Sequence, residues 1–153
     1  MHTVLADTLK GIRILDLSRL LPGPYCTSLL AGLGADVVKI ETPLAGDYLR
    51  LIPDQMGFGK VFDALNGGKK SVAVNYRNPK GKAIVAQLIR QSDVLVEAFR
   101  PGAVTRWGLD YASASAINPR LVYCSLSAFG QTGPYTKRAA HEMVQHTDRQ
   151  HRC

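Results

Sequence analysis

Ser92-Asp-Val-Leu-Val-Glu-Ala-Phe-Arg-Pro-Gly102 holds a short apolar run, Val94 to Val96, that stops at Glu97. An Arg-Pro-Gly turn follows, and a new helical pattern begins after it. A short apolar run bounded by turn formers reads as a buried strand. In an open α/β sheet, ligands bind just past the carboxyl ends of the strands. That reading puts Glu97, Phe99 and Arg100 on a ligand-facing rim. The plainer reading of the same residues is a strand, a turn and a helix start.

Working outward, Gly11 to Leu17 reads as a first strand. Ile12, Ile14, Leu15 and Leu17 are too apolar for a face in water, so both faces are expected to be covered. Ser18 to Pro24 is the loop after it, Pro24 opens a helix through Leu33, and Gly34 stops it. Asp36 to Glu41 is a second strand, which makes a right-handed parallel unit the default. Thr42 to Gly68 reads as long, polar and irregular. Lys69 to Asn75 enters a third strand. Asn78-Pro79 caps and opens a helix whose apolar face is Ile84, Val85, Leu88 and Ile89. After the opening stretch come a helical turn at Ala103–Trp107, a short helix at Ala112–Ile117 and a last strand at Leu121–Leu126. A glycine-rich loop, Phe129 to Pro134, follows. Five strands alternating with helices predict an α/β fold with an open, mainly parallel sheet.

The chain's 153 residues suit one domain or part of one. A hydrophobic fraction of 46% with 20% charged residues fits a soluble globular protein. No apolar run approaches the ~20 residues that span a bilayer, and the first residues do not resemble a secretory signal. Cys26, Cys124 and Cys153 are odd in number and widely spaced, which argues against a disulfide framework and fits a reducing cytoplasm. No cysteine pair has metal-ligand spacing. The tail, Arg138 to Cys153, holds three of the four histidines, His141, His146 and His151. His146 and His151 are five apart, off one helical face, so an aberrant or disordered end is expected there rather than a metal site. Residues 1–137 and 138–153 are thus read as two different kinds of chain.

A net charge of +7 favours a phosphate-bearing or otherwise acidic ligand. The basic residues are scattered, without aromatic interleaving, which argues against nucleic acid. Glu41 ends the second strand where a ribose-binding acid would sit. However, the first loop reads Leu21-Pro-Gly-Pro-Tyr25, with two prolines in place of flexible glycines, so an ordinary nicotinamide site is excluded. Lys69, Lys70, Arg77, Arg100, Arg106 and Lys137 cluster at strand ends or in loops, where fixed cations and glycine-loop amides suit phosphate. Asp16, Glu41, Glu97 and Glu142 read as isolated carboxylates, whereas acid–base work needs a positioned partner. Cys26 and Cys124 read as buried, inert thiols. Trp107 and Tyr135 read as packing residues.

Several stretches in this order resemble the family III CoA-transferases, also called the L-carnitine dehydratase/bile-acid-inducible protein F family. They are Leu9-Lys-Gly-Ile-Arg-Ile-Leu-Asp-Leu17, Pro22-Gly-Pro24, Leu33-Gly-Ala-Asp-Val-Val-Lys-Ile-Glu41, Gly46-Asp47 and Asn66 through Ser71. Ser92 to Gly102, Asn118-Pro-Arg-Leu-Val-Tyr123 and Phe129-Gly-Gln-Thr-Gly-Pro-Tyr135 complete the set, which covers residues 9 to 142. The resemblance implies an open Rossmann-like domain that binds coenzyme A, and interlocked homodimers. It implies transfer of CoA from an acyl-CoA to a carboxylic acid through an aspartyl anhydride. The family's racemases of 2-methylacyl-CoA are the alternative activity, and a non-catalytic CoA-binding or pairing module is a third.

Carried over position by position, the resemblance implies CoA contacts from Arg19 to Pro22, including Leu21, and from Thr42, Lys69, Lys70, Arg77, Phe99, Arg100 and Arg106. Leu21 stands where a member has a polar residue, Thr42 where an arginine is frequent, and Ala98 where a member has asparagine. Ala139-Ala-His-Glu142 stands where the racemases have Ala-Gly-His-Asp, which leaves Glu142 as a weak catalytic candidate. The family's catalytic aspartate is expected beyond Cys153, no metal is implied, and the sheet is expected to be incomplete relative to the family. The chain is accordingly expected to be a truncated or frameshifted product whose native sequence ends near Gln145.

Overall fold

Runs of apolar residues with turn formers at both ends can hide both faces only if helices cover the sheet on two sides. The computed structural model describes residues 7–51 and 59–138, and there the five runs become five strands. They are β1 Arg13–Asp16, β2 Asp36–Glu41, β3 Lys70–Ala73, β4 Val94–Glu97 and β5 Val122–Ser125. Four helices connect them: α1 Pro22–Gly32, α2 Gly59–Asn66, α3 Pro79–Arg90 and α4 Tyr111–Ile117. All strand pairs are parallel, in the order β3-β2-β1-β4-β5. The α/β expectation holds, and the sheet is wholly parallel.

Alternate residues of each strand enter opposite layers. Leu15, Val38 and Leu95 pack with Val85 and Ile89 of α3 and Ala114 of α4. Ile14, Val37 and Val96 pack against Leu30 and Ala31 of α1. Helix α2 lies against α1. The chain therefore runs outward from β1 to β3 with α1 and α2 on one face. It then crosses back to β4 and β5 with α3 and α4 on the other. The order reverses between β1 and β4, which makes the crevice beyond their carboxyl ends the topological switch point.

Local chemistry sets the element ends. Asn78 Oδ1 accepts from the Gly81 N–H at 2.7 Å, and Pro79 occupies the first helical position of α3. Gly34, at φ +96°, takes the left-handed turn that stops α1. Asp110 caps α4 through the Ser113 N–H at 3.2 Å.

Four expectations are corrected. Helix α1 opens at Pro22 rather than Pro24, because both prolines fit its first turn. Thr42–Gly68 is not irregular throughout: it holds a 3₁₀ turn, Tyr48–Leu51, and α2. Among the side chains of α2, Phe62 and Asn66, one turn apart, are buried, a short pattern that periodicity reads poorly. Ile84 is 46% exposed, so the buried stripe of α3 is Val85 and Ile89 with Leu88 beside them. Cys26 and Cys124 are half-buried rather than buried. No helix among the described residues is long and apolar enough to cross a membrane. The tail beyond Arg138 lies outside the described residues.

Candidate functional site

Under the switch point lies a floor of buried charge. Asp16, at the end of β1, accepts from the Ser18 N–H at 2.9 Å, from the Ser18 hydroxyl and from the Thr27 hydroxyl at 2.6 Å. Lys69 Nζ sits 3.5 Å from Asp16 Oδ2 and donates to Thr27 Oγ1, the Pro24 carbonyl and Asn66 Oδ1 at 2.8, 2.9 and 3.1 Å. Burial pulls the Lys69 ammonium below its usual range, and Asp16 opposes the shift. Lys39 of β2 pairs with Asp47 at 3.0 Å, and both side chains are sealed from water. Two cations thus meet two anions without solvent.

This arrangement corrects two expectations. Lys69 and Lys70 are not brought to a phosphate site: Lys69 is spent on the floor, and Lys70 pairs with Asp36 at 2.6 Å at the amino ends of the strands. Asp16 and Glu41 are not isolated either. Glu41 accepts from Arg50 at 2.8 and 2.9 Å, from the Ser71 hydroxyl at 2.6 Å and from the Asp47 N–H at 2.9 Å. The Arg50 guanidinium foremost holds the Glu41 carboxyl down at about 2.

Above the floor stands an aromatic plate. Tyr76 and Phe99 flank Trp107 with ring centroids 5.1 and 5.2 Å away. Arg19, in the loop after β1, lies 4.8 Å from the centroids of both Tyr48 and Phe99. Arg77 lies 5.6 Å from the Trp107 centroid. Arg100 and Arg106 are exposed beside this plate in the loop after β4. None of these four guanidiniums has a carboxylate partner among the described residues. Burial raises the Tyr76 phenol while Arg19 and Arg77 oppose the shift, which places both cations close to it.

Glu97 lies beneath this rim rather than on it. The Phe99 N–H donates to Glu97 Oε2 at 2.8 Å, and the Ser125 hydroxyl donates to Oε1. Burial pushes the Glu97 carboxyl above its ordinary range, against those hydrogen bonds. Gln131 extends the chain by donating to Ser125 Oγ at 2.7 Å.

Of the residues expected from the sequence, Arg19, Arg77 and Phe99 are tied together through the Phe99 and Trp107 rings, and Arg100 and Arg106 are exposed in the adjoining loop. Leu21 is half-buried as the residue before α1, and Pro22 is its exposed first residue. Thr42 faces a cleft of about 320 Å³ on the β2–β3 side, lined also by Glu41, Arg50 and Ser71. Glu142 lies outside the described residues. Tyr48 and Tyr76 were not foreseen. Tyr76 lies three residues beyond β3, at the carboxyl end of the strand, a signal that could have found it; Tyr48 sat within a run read as irregular.

Unpaired guanidiniums backed by packed, largely buried aromatic rings suit a ligand that carries phosphates. The two proline positions of α1 remove N–H donors from its first turn, so the positive potential comes from arginine side chains. Each buried carboxylate accepts at least one hydrogen bond, although Asp47 Oδ2 meets only the Lys39 ammonium, and among the described residues no group of three or more His, Cys, Asp and Glu is placed to hold a metal.

Known proteins share this chain. The model of CoA-transferase family III matches residues 9–148. The formyl-CoA:oxalate CoA-transferase of Streptomyces coelicolor is 46% identical over 142 residues, covering 91% of this chain and 34% of that protein. The succinate–glutarate CoA-transferase of Agrobacterium fabrum is 38% identical over 144 residues, covering 89% of this chain and 36% of that one. A crystal structure of a CAIB/BAIF family protein from Brucella suis superposes with a TM-score of 0.84 at 38% identity, over 91% of this chain and 38% of that chain. The chain spans about a third of the length of these curated relatives.

Proposed function

Because the chain belongs to CoA-transferase family III, we propose that it forms the coenzyme-A-binding part of an enzyme that moves CoA from an acyl-CoA thioester to a carboxylic acid. The observation that carries this reading is that Arg19 and Arg77 lie over the rings of Phe99 and Trp107 without carboxylate partners among the described residues, while Arg100 and Arg106, the sequence neighbours of those rings, are exposed. Guanidiniums without carboxylate partners suit the phosphates of CoA, and the aromatic rings give them a fixed backing. Arg106 and Arg100 take the phosphates of the nucleotide end together with Arg77.

In this reading an aspartate outside the described residues attacks the thioester carbonyl and expels CoA as a thiolate, leaving a mixed anhydride. The thiolate then attacks the aspartyl carbonyl, releases the donor acid and leaves an aspartyl-CoA thioester. The acceptor carboxylate attacks that thioester, and the returning thiolate completes the exchange. A carboxylate nucleophile divides one hard transfer into easier steps. The working protein is a cytoplasmic, interlocked homodimer.

Isothermal titration of the 153-residue protein with CoA tests the binding reading: heat saturating below millimolar CoA is expected, and none at millimolar CoA overturns it. Loss of CoA transfer from succinyl-CoA to oxalate or glutarate on substituting an aspartate among the described residues would overturn the placement of the nucleophile outside them.

A further inference from the structure

Lys39 and Asp47 form an ion pair with side chains 1% and 0% exposed. Such a pair is weak support for stability, because desolvation offsets most of its attraction. Its connections point elsewhere. Asp47 Oδ1 accepts from the N–H of Leu20 at 3.2 Å and of Leu49 at 3.1 Å. Lys39 Nζ donates to the Ser18 carbonyl at 2.9 Å. Ser18 and Leu20 flank Arg19, so the pair grips the backbone on both sides of that residue. Leu20 is held at φ +63°, a left-handed conformation that a leucine keeps only when its surroundings impose it. Tyr48, whose ring meets the Arg19 guanidinium, is the next residue after Asp47. One carboxylate therefore sets the position of both partners of the Arg19–Tyr48 contact.

We propose that Asp47, through its buried pair with Lys39, is a positioning residue that fixes the Ser18–Leu20 loop so that Arg19 presents its charge at the switch point. The consequence for ligand affinity rests on the coenzyme A reading above; the locking of the loop does not.

The test compares the native protein with the double variant Lys39→Met/Asp47→Leu, which removes both charges, and with Asp47→Asn, which keeps Oδ1 as an acceptor. Three quantities are read: the thermal midpoint, the rate of tryptic cleavage after Arg19 by mass spectrometry, and the dissociation constant for CoA. The double variant is expected to keep a midpoint near the native one while cleavage after Arg19 rises at least tenfold and CoA binding weakens at least tenfold. If the double variant does not fold, Asp47→Asn carries the comparison, with a smaller rise in cleavage. Native protection at Arg19 in a folded variant overturns the positioning role, whatever the affinity does. Failure of the native protein to bind CoA overturns the coenzyme A reading instead, and the cleavage rates still decide the positioning role.

Discussion

The Phe99 N–H donates to Glu97 Oε2 across 2.8 Å, so the buried carboxyl that ends β4 sets the backbone of the ring on which Arg19 rests. Strand end and rim are thereby one unit. Among the described residues Glu97 has no cation paired with it, and burial is the larger influence on its proton.

A pH dependence follows. An acid whose folded-state affinity for its proton is raised contributes stability fully below its unfolded value, near 4.5, and that contribution is lost as pH rises through the folded value. Glu97→Gln is therefore expected to stabilise the protein at pH 8 and to make no difference below pH 4. Urea denaturation across that range checks it; an equal effect at every pH would sink the explanation.

The Glu41–Arg50 pair has the opposite sign. Glu41 is held at about 2, so its contribution is present above 4.5 and fades as pH falls toward 2. Because Arg50 is 45% exposed, water screens the pair, and Glu41→Gln is expected to cost about 2 kcal/mol at pH 7. The cost should shrink as the protein is acidified, as read by denaturation at pH 7 and pH 3.

Gly23 lies where the start of α1 meets the loop after β1. A Cβ there would stand 2.1 Å from Ser18 Cβ. Gly23→Ala must push the loop away and is expected to cost about 1–3 kcal/mol, the usual range for overpacking. CoA affinity should fall with it. A native thermal midpoint in the variant would show that the loop yields freely.

Arg100→Ala and Arg106→Ala are expected to weaken CoA binding about tenfold each, the scale of one charge-assisted hydrogen bond. Both side chains are exposed, so stability should stay within about 0.5 kcal/mol of native. Pantetheine, which lacks the nucleotide phosphates, should bind the variants as it binds the native protein. Equal losses for both ligands would place the phosphates elsewhere.

Where residues act through local pattern, the chain was legible. Val94–Glu97 and Asp36–Glu41 are strands at the stated bounds because a buried parallel strand needs only a short apolar run between turns. Asn78-Pro79 opened α3 as read, because capping is a contact between residues three apart. The ordered motifs identified the family, since several weak local matches in one order seldom arise together. Helix α2 was missed because its eight residues make only about two turns and follow a stretch punctuated by Pro and Gly that reads as loop.

Charge is where reading along the chain failed. A lysine in sequence is the same letter whether it faces water or a carboxylate. Lys69 looked like a phosphate ligand until the fold brought Asp16, 53 residues away, to its ammonium. Asp47 looked like part of a loop until Lys39 and Leu20 closed around it. The sequence alone determined that strands and helices alternate and which family the chain belongs to, because these follow from local periodicity and motif order. Only the tertiary structure decided which charges are buried and balanced and which arginines lack a carboxylate partner among the described residues. The desolvation that separates the two depends on neighbours far away in the chain.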